Sequence, residues 1–456
     1  MDCEAGSRHY RPRCAAWWTV YACGYHERRH LPEPPAKRVA RHSIPTTPRR
    51  WDEHASVVTR VATLRYRPGM PMMPRIVVLH SHAPSPATSG GKRVMLEHLT
   101  ELLSTEDVRV VSAFVDVDAS GDAFETEFQH PRWEVASFPR AVPRVRDGLR
   151  GITGATLGVL SPFPRIVWAH RSRAARNRVH REASHPETRA LVVESIAALA
   201  FAPSRQCKVH LTYVVHNLQW VDLLHDAQRF AWWHPRHWLG FWEAWKSRRY
   251  EVAWMRRADR VMFISPSDAQ RVLAGLPEVR QKTTVRPALL PASPRRWTGA
   301  WPNTLLFVGS AAYVPNRDAI TWLVQRFMPA LRHLDPHAQL EVLGTSQREC
   351  PHLTHPAVTF RGRVSPEELE VFHQRCSMAL VPIRHGTGVK VKLLEAASHG
   401  VPVAATPEAV RGTVFGDGVV PLDRNDPQAA AIMVAEALSD EQTLRQCASR
   451  IETALE

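Results

Sequence analysis

The stretch from Met378 to Thr406 constrains this chain more than any other. Met378-Ala379-Leu380-Val381 is a short apolar run of the kind a buried strand makes. His385-Gly386-Thr387-Gly388 follows, and a helical pattern then runs to Ala397 and stops at Gly400. Val401 to Thr406 reads as the next buried strand. Strand, glycine loop, helix, strand is a βαβ unit. Such units build parallel sheets with helices on both faces, and they gather ligands at the carboxyl ends of the strands.

The same stretch carries chemistry. Gly386 and Gly388, on either side of Thr387, let the backbone turn its N–H groups outward with no Cβ in the way. The helix start adds unpaired N–H groups and a partial positive charge. Together they make a seat for a phosphate or diphosphate. Lys390 and Lys392 add counter-charge, and Glu395 can accept from a sugar hydroxyl, as acidic residues do in other nucleotide sites. The duller reading is a turning corner in which Lys390 is solvated and Lys392 pairs with Glu395 one helical step away.

Along the chain the α/β rhythm occurs twice. The first series opens with a strand at Ile76 to Leu79, a loop holding Ser89-Gly90-Gly91-Lys92-Arg93, and a helix from about Val94 to Leu103. Strands are expected at Val108 to Val117, Leu191 to Glu194, Val209 to Val215 and Val261 to Ser265. A long helix is expected over about Leu223 to Arg257, broken or kinked at Pro235. Pro266-Ser267-Asp268 starts another helix with a capping pattern. Residues 119–185 show only weak pattern. Prolines 287, 291, 294 and 302 with Gly299 mark an interdomain linker. The second series has strands at Thr304 to Gly309, Gln339 to Leu343 and Val358 to Gly362, and helices from Asn316, a plausible N-cap, to about Leu331 and over 366–376. The Met378–Thr406 unit follows, and a final helix starts near Pro427. This gives a first domain over 72–290, a linker at 291–303, and a second domain over 304–456. Two facing Rossmann-like domains with a cleft between them are expected.

Composition sets outer limits. The 456 residues suffice for two or three domains, and the net charge of +15 admits phosphorylated substrates, anionic lipid or nucleic acid as partners, or simply a basic surface. Residues 1–71 hold 13 Arg and Lys against 6 Asp and Glu and show no helical or strand period. They read as a disordered extension or a mis-assigned start. The seven cysteines show no zinc spacing, and their odd number argues against a complete disulfide framework, which suits a reducing cytoplasm. No stretch reaches the roughly 18 apolar residues that cross a bilayer. Asp116-Val117-Asp118 is a strand-end pair of acids, weak as a metal motif.

In order along the second half stand Phe307-Val308-Gly309-Ser310, Pro315-Asn316-Arg317-Asp318, Leu343-Gly344, Phe360-Arg361-Gly362, the Gly386 to Ala397 loop and helix, and Gly400-Val401-Pro402. These residues resemble glycosyltransferases of family 4, retaining enzymes of the GT-B fold. The first half agrees more loosely, through Gly90-Gly91, Val193-Glu194, His216-Asn217 and Ser265-Pro266-Ser267-Asp268. The resemblance implies that the C-terminal domain binds a nucleotide-diphosphate sugar. Gly309, Asn316, Gly386, Thr387, Gly388 and Lys390 would line the donor site, and Glu395 would contact the ribose. Arg317 and Lys392 would neutralise the diphosphate, Gly90 and Gly91 would face it across the cleft, and His216 would lie near the transferred sugar. Thr387 stands where the family's first paired glutamate is expected, so the contact that orients the sugar differs here. The resemblance implies no metal and no cofactor beyond the donor substrate. It implies a saccharide or lipid-linked acceptor. An epimerase of the same fold, or a basic nucleic-acid or lipid-binding protein with a decayed donor site, are the alternatives.

Trp238, Trp242 and Trp245 recur at helical spacing with Lys246, Arg248, Arg249, Arg256 and Arg257 around them. The stripe is expected to pack into the core of the first domain. A peripheral contact on the inner face of the membrane, or stacking on nucleic acid, are its other readings.

Overall fold

A computed structural model describes residues 73–82, 90–105, 108–116, 130–139, 156–203, 209–287, 293, 296–413 and 415–454. The expectation for residues 1–71 lies outside them, as do Ser89, Val117, Asp118 and most of 119–155. The first domain is a seven-stranded parallel sheet in the order β3-β2-β1-β4-β5-β6-β7. Its strands are β1 (Arg75–His80), β2 (Arg109–Asp116), β3 (Trp133–Pro139), β4 (Thr188–Glu194), β5 (His210–Val215), β6 (Arg260–Phe263) and β7 (Thr283–Val285). Val77, Val78 and Leu79 of β1 are buried on both faces, which is why the strand reads as a continuous apolar run rather than an alternation. Val77 pairs with Val111 on one side and Leu191 on the other.

Helices α1 (Gly90–Thr105), α2 (Arg165–Ala169), α3 (Arg173–Ala183), α4 (Gln219–Gln228), α5 (Pro235–Arg257) and α6 (Pro266–Gly275) cover this sheet. The helix expected from Leu223 is two helices. Pro235 stands at the first turn of α5, where its missing N–H costs nothing, and His234 caps it through Nδ1. α1 starts at Gly90, one turn before the expected Val94. Ser265 caps α6 by accepting from the amide of Asp268, as the Ser-Pro-Ser-Asp pattern indicates.

The second domain is a sheet in the order β10-β11-β9-β8-β12-β13-β14. It comprises β8 (Thr304–Val308), β9 (Gln339–Leu343), β10 (Thr345–Ser346), β11 (Val358–Gly362), β12 (Met378–Val381), β13 (Val403–Ala405) and β14 (Val419–Pro421). All pairs are parallel except β10 with β11. Its helices are α7 (Val314–Trp322), α8 (Met328–Leu334), α9 (Pro366–Arg375), α10 (Val391–Ser398), α11 (Pro407–Val410), α12 (Pro427–Ser439) and α13 (Glu441–Thr453). A π turn at Leu323–Phe327 joins α7 to α8. Pro329 sits just beyond it and lacks the N–H that a regular helix would use there. Asn316 is not an N-cap. Tyr313 occupies that position, and Asn316 lies buried in the first turn.

The two domains touch. Val94, Val214 and Ile264 of the first join the apolar cluster of the second. Trp297, Thr298 and Trp301, from the stretch expected to be linker, hydrogen-bond His399, Gln374 and Arg375 and so lie against the second domain.

Candidate functional site

The strand ends of both sheets face one cleft. In the second domain β8 ends at Gly309, over which the Asn316 side chain folds. A Cβ on Gly309 would lie 2.7 Å from Asn316 Nδ2, so a side chain there would have to displace Asn316. Asn316 Nδ2 donates to the Ser310 carbonyl at 3.0 Å, which turns Oδ1 toward α10. Lys392 Nζ donates to that Oδ1 and lies 5.0 Å above the Phe307 ring. Lys392 therefore goes to Asn316 and not into an ion pair with Glu395. Burial pushes its ammonium down to about 7, with Glu395 opposing and Lys390 assisting.

The glycine loop crosses to the first domain. Gly386 and Gly388 both adopt left-handed backbone, φ 119° and 70°. A Cβ on Gly388 would lie 2.5 Å from the His216 carbonyl oxygen, so the two strand ends meet here. Thr387 N–H donates to Asp222 Oδ1 at 2.7 Å, and Gly388 N–H donates to Asp268 Oδ2 at 2.8 Å. Thr387 Oγ1 accepts from the Leu218 amide at 2.9 Å. The loop amides do hold anions, but they are the carboxylates of the neighbouring domain. Burial raises Asp268, while the Gly388 amide and Lys390 oppose that.

Lys390 is turned inward. Its ammonium donates to the carbonyls of Gly386, Thr387 and Gly388 at 2.7, 3.3 and 3.2 Å, tying the loop to itself. Burial lowers it, and Asp222 is the largest opposing charge. Arg317 is exposed in the first turn of α7, with Nε on the Ala311 carbonyl at 2.9 Å. Glu395 is half-buried one turn beyond Lys392. Gly90 and Gly91 open α1, which packs beside α10 across the cleft.

His216 follows β5 and meets a cluster that the sequence reading does not assign. Its Nε2 lies 3.5 Å from Glu194 Oε2. His80 Nδ1 lies 3.5 Å from the same oxygen, and His98 Nδ1 lies 3.3 Å from Oε1. Burial pushes Glu194 up, but the His216, His80 and His98 contacts together outweigh it and hold the carboxyl well below its usual range. Asp222, Asp268, His98 and Glu194 were illegible as a group because they come from four elements. Only the Ser-Pro-Ser-Asp cap and the strand-end position of Glu194 marked two of them.

Of the α5 stripe, Trp238 is half-buried, and Trp242 and Trp245 are not in the core. Trp242 is 38% and Trp245 50% exposed, and their rings stack at 5.0 Å. Glu243, Ala244, Lys246 and Ser247 take the buried face instead. Lys246 Nζ satisfies itself on the carbonyls of Gly158, Val159 and Ser161 and on Glu243. This anchors residues 156–161 beside the stripe, with Leu157 and Leu160 exposed. Among the described residues no helix is long and apolar enough to cross a membrane.

Residues 302–440 match the family model described as Glycosyl transferases group 1. No curated protein matches the chain by sequence. Among solved structures it is similar to sucrose-phosphate synthase from Thermosynechococcus elongatus, at 18% identity and TM-score 0.60 over 84% of this chain and 94% of that one. It is similar to Anabaena HepE in complex with UDP and glucose, at 16% identity and TM-score 0.56 over 83% and 94%. It is also similar to the trehalose-6-phosphate synthase OtsA, at 11% identity and TM-score 0.53 over 84% and 95%. The fold is GT-B, the C-terminal domain is a glycosyltransferase group 1 domain, and the chain is a glycosyltransferase.

Proposed function

We propose that this glycosyltransferase moves a sugar from a nucleoside-diphosphate sugar to a hydroxyl of a saccharide or lipid-linked saccharide, with retention at the anomeric carbon. The observation that carries this reading is Lys392. It is an enclosed ammonium at the first turn of α10, held by Asn316, whose charge burial disfavours more than the Glu395 carboxylate supports it. A cation kept in that state gains most when an anion arrives, and the helix start adds to the attraction.

On this reading the bond between the anomeric carbon and the diphosphate oxygen breaks, and its electron pair stays on the diphosphate. Lys392 and Arg317 stabilise the charge that builds there. The acceptor oxygen bonds to the same face of the sugar and passes its proton to the departing diphosphate. On this reading His216, which meets Gly388 through its backbone, holds the transferred sugar. The donor is the substrate itself, and this reading includes no cofactor. HepE, by its title, binds UDP and glucose, so UDP is the first nucleotide to try.

The exposed Trp242, Trp245, Leu157 and Leu160, flanked by Arg248 and Arg249, favour a lipid-linked acceptor met at the inner, cytoplasmic face of a membrane. The test is a panel of nucleotide sugars with saccharide and lipid-linked acceptors, read by release of nucleoside diphosphate and by NMR of the product anomer. Acceptor-dependent release with retained configuration supports the reading. Donor interconversion without transfer, or an inverted product, overturns it.

A further inference from the structure

Beneath the cleft, four imidazole and carboxylate groups from α1, β1, β4 and the residue after β5 converge, with no Lys or Arg among them. Glu194 is 1% exposed, and the groups within reach of it are His80, His98 and His216. Among the described residues no Lys or Arg pairs with it. A buried carboxylate without a Lys or Arg partner is costly, so either an imidazole or a bound cation supplies the compensating charge.

The spacing says which source fits. His98 Nδ1 makes a long hydrogen bond of 3.3 Å to Oε1, and His80 Nδ1 and His216 Nε2 lie 3.5 Å from Oε2, beyond the usual N–H···O separation of about 2.9 Å. His80 Nδ1, Glu194 Oε2 and His216 Nε2 are buried without a hydrogen-bond partner. Nitrogen and oxygen ligands about 2.0–2.1 Å from a tetrahedral ion stand about 3.3–3.4 Å from one another. One ligand atom from each of His98, Glu194 and His216 lies within 4.8 Å of the others.

We propose that His98, Glu194 and His216 bind a divalent transition-metal ion of the zinc class. Two imidazoles and one carboxylate are a donor set that zinc takes while keeping a further position for water or substrate. His98 and His216 are the partly exposed members, so that position opens toward the cleft. His80 supports the carboxylate from behind. Its Nε2 lies 3.1 Å from Ser112 Oγ, which also accepts from Trp133 Nε1 at 2.9 Å, an outer layer of the kind that orients metal ligands. Ser195, next to Glu194, holds φ 82°, a strained conformation for a residue with a side chain. An ion here would take His216 through Nε2 and leave its proton on the other nitrogen. The site shares His216 with the donor reading, and its test needs no donor.

The test uses the full chain, stripped with a chelator and titrated with Co2+ and then Zn2+ in the absence of nucleotide. The expected result is one tight ion per chain, with the strong visible bands of four-coordinate Co2+ that Zn2+ bleaches. His98→Gln and Glu194→Gln should lose that ion. X-ray absorption on the wild type, which needs no variant to fold, should find two imidazole nitrogens and a carboxylate oxygen. Weak uptake that is equal in wild type and variants, or a Co2+ spectrum of the aquo ion, would mean that the histidines only hydrogen-bond Glu194, and the proposal would fail. Nucleotide binding measured on the same samples separates this outcome from failure of the donor reading.

Discussion

Thr387 gives both its amide N–H and its hydroxyl to one oxygen of Asp222, at 2.7 and 2.9 Å, from opposite sides of the cleft. The other oxygen of Asp222 accepts from Asn217 Nδ2, so the carboxylate is fixed on its own domain before it reaches across. With Asp268 on the Gly388 amide, two anions hold the glycine loop closed. Hydrogen bonds to charged groups contribute about 1.5–3 kcal/mol each. Asp222→Ala should therefore open the two domains, seen as a larger radius of gyration in small-angle scattering at unchanged helix content. Identical scattering curves would show that this contact carries no weight.

Glu251 is buried under β5 and accepts from the Tyr213 hydroxyl at 2.8 Å. Burial pushes its carboxyl up to about 8, and Asp268 and Asp222 add to that. Between the unfolded value near 4.5 and about 8 the native state keeps a proton that the unfolded chain has lost. Stability from this group is thus full at low pH and falls as pH rises, by at most about 1.4 kcal/mol per pH unit. Glu251→Gln cannot ionise, so its denaturant midpoint should gain on wild type steadily from about pH 5 to about pH 8. Parallel pH profiles would refute the assignment.

Lys392 works the other way round. The unfolded chain holds its proton up to about 10.5, the native state only to about 7, so this group makes the unliganded protein more stable as pH rises through that window. Lys392→Met removes the enclosed charge. At neutral pH it should raise the melting temperature of the unliganded protein, by about 2–4 °C for each kcal/mol, and abolish the further rise with nucleoside diphosphate. A destabilised variant that still responds to nucleotide would contradict this.

Much of this site could be read from the chain because parallel strands are buried on both faces and announce themselves as apolar runs. β1, β5, β8 and the Met378–Thr406 unit stood out that way, and so did the glycine loop between β12 and α10. The partners of that loop did not. Asp222 and Asp268 sit 165 and 120 residues away in sequence, and nothing local tells a capping aspartate from one that reaches across a cleft. α3 is rich in arginine and was hidden for a different reason. Only Ala175, Val179 and Ala183 face the sheet, too few apolar residues to show a period. The tryptophan stripe had the right spacing for a core helix. Small and paired residues on the opposite face, Ala244, Ser247 and the Lys246–Glu243 pair, fill that role instead.

That exposed stripe should bind anionic vesicles. Burying one tryptophan contributes roughly 1.5–3 kcal/mol, so Trp242→Glu with Trp245→Glu should lower the partition coefficient by about tenfold or more in flotation assays. Raised salt should weaken wild-type binding through Arg248 and Arg249, while nucleotide affinity stays as it was. Equal flotation of wild type and variant would remove the membrane-facing role.

The most direct measurement is calorimetric titration of UDP, and of other nucleoside diphosphates, into the wild type, Lys392→Ala, and Lys392→Ala combined with Glu395→Ala. If the diphosphate rests on α10, the single variant should lose at least about 1.4 kcal/mol, a tenfold drop, and the double variant more. In wild type near neutral pH, binding should take up a proton as Lys392 becomes charged. Unchanged affinity for every nucleotide in variants with native circular dichroism would contradict the account.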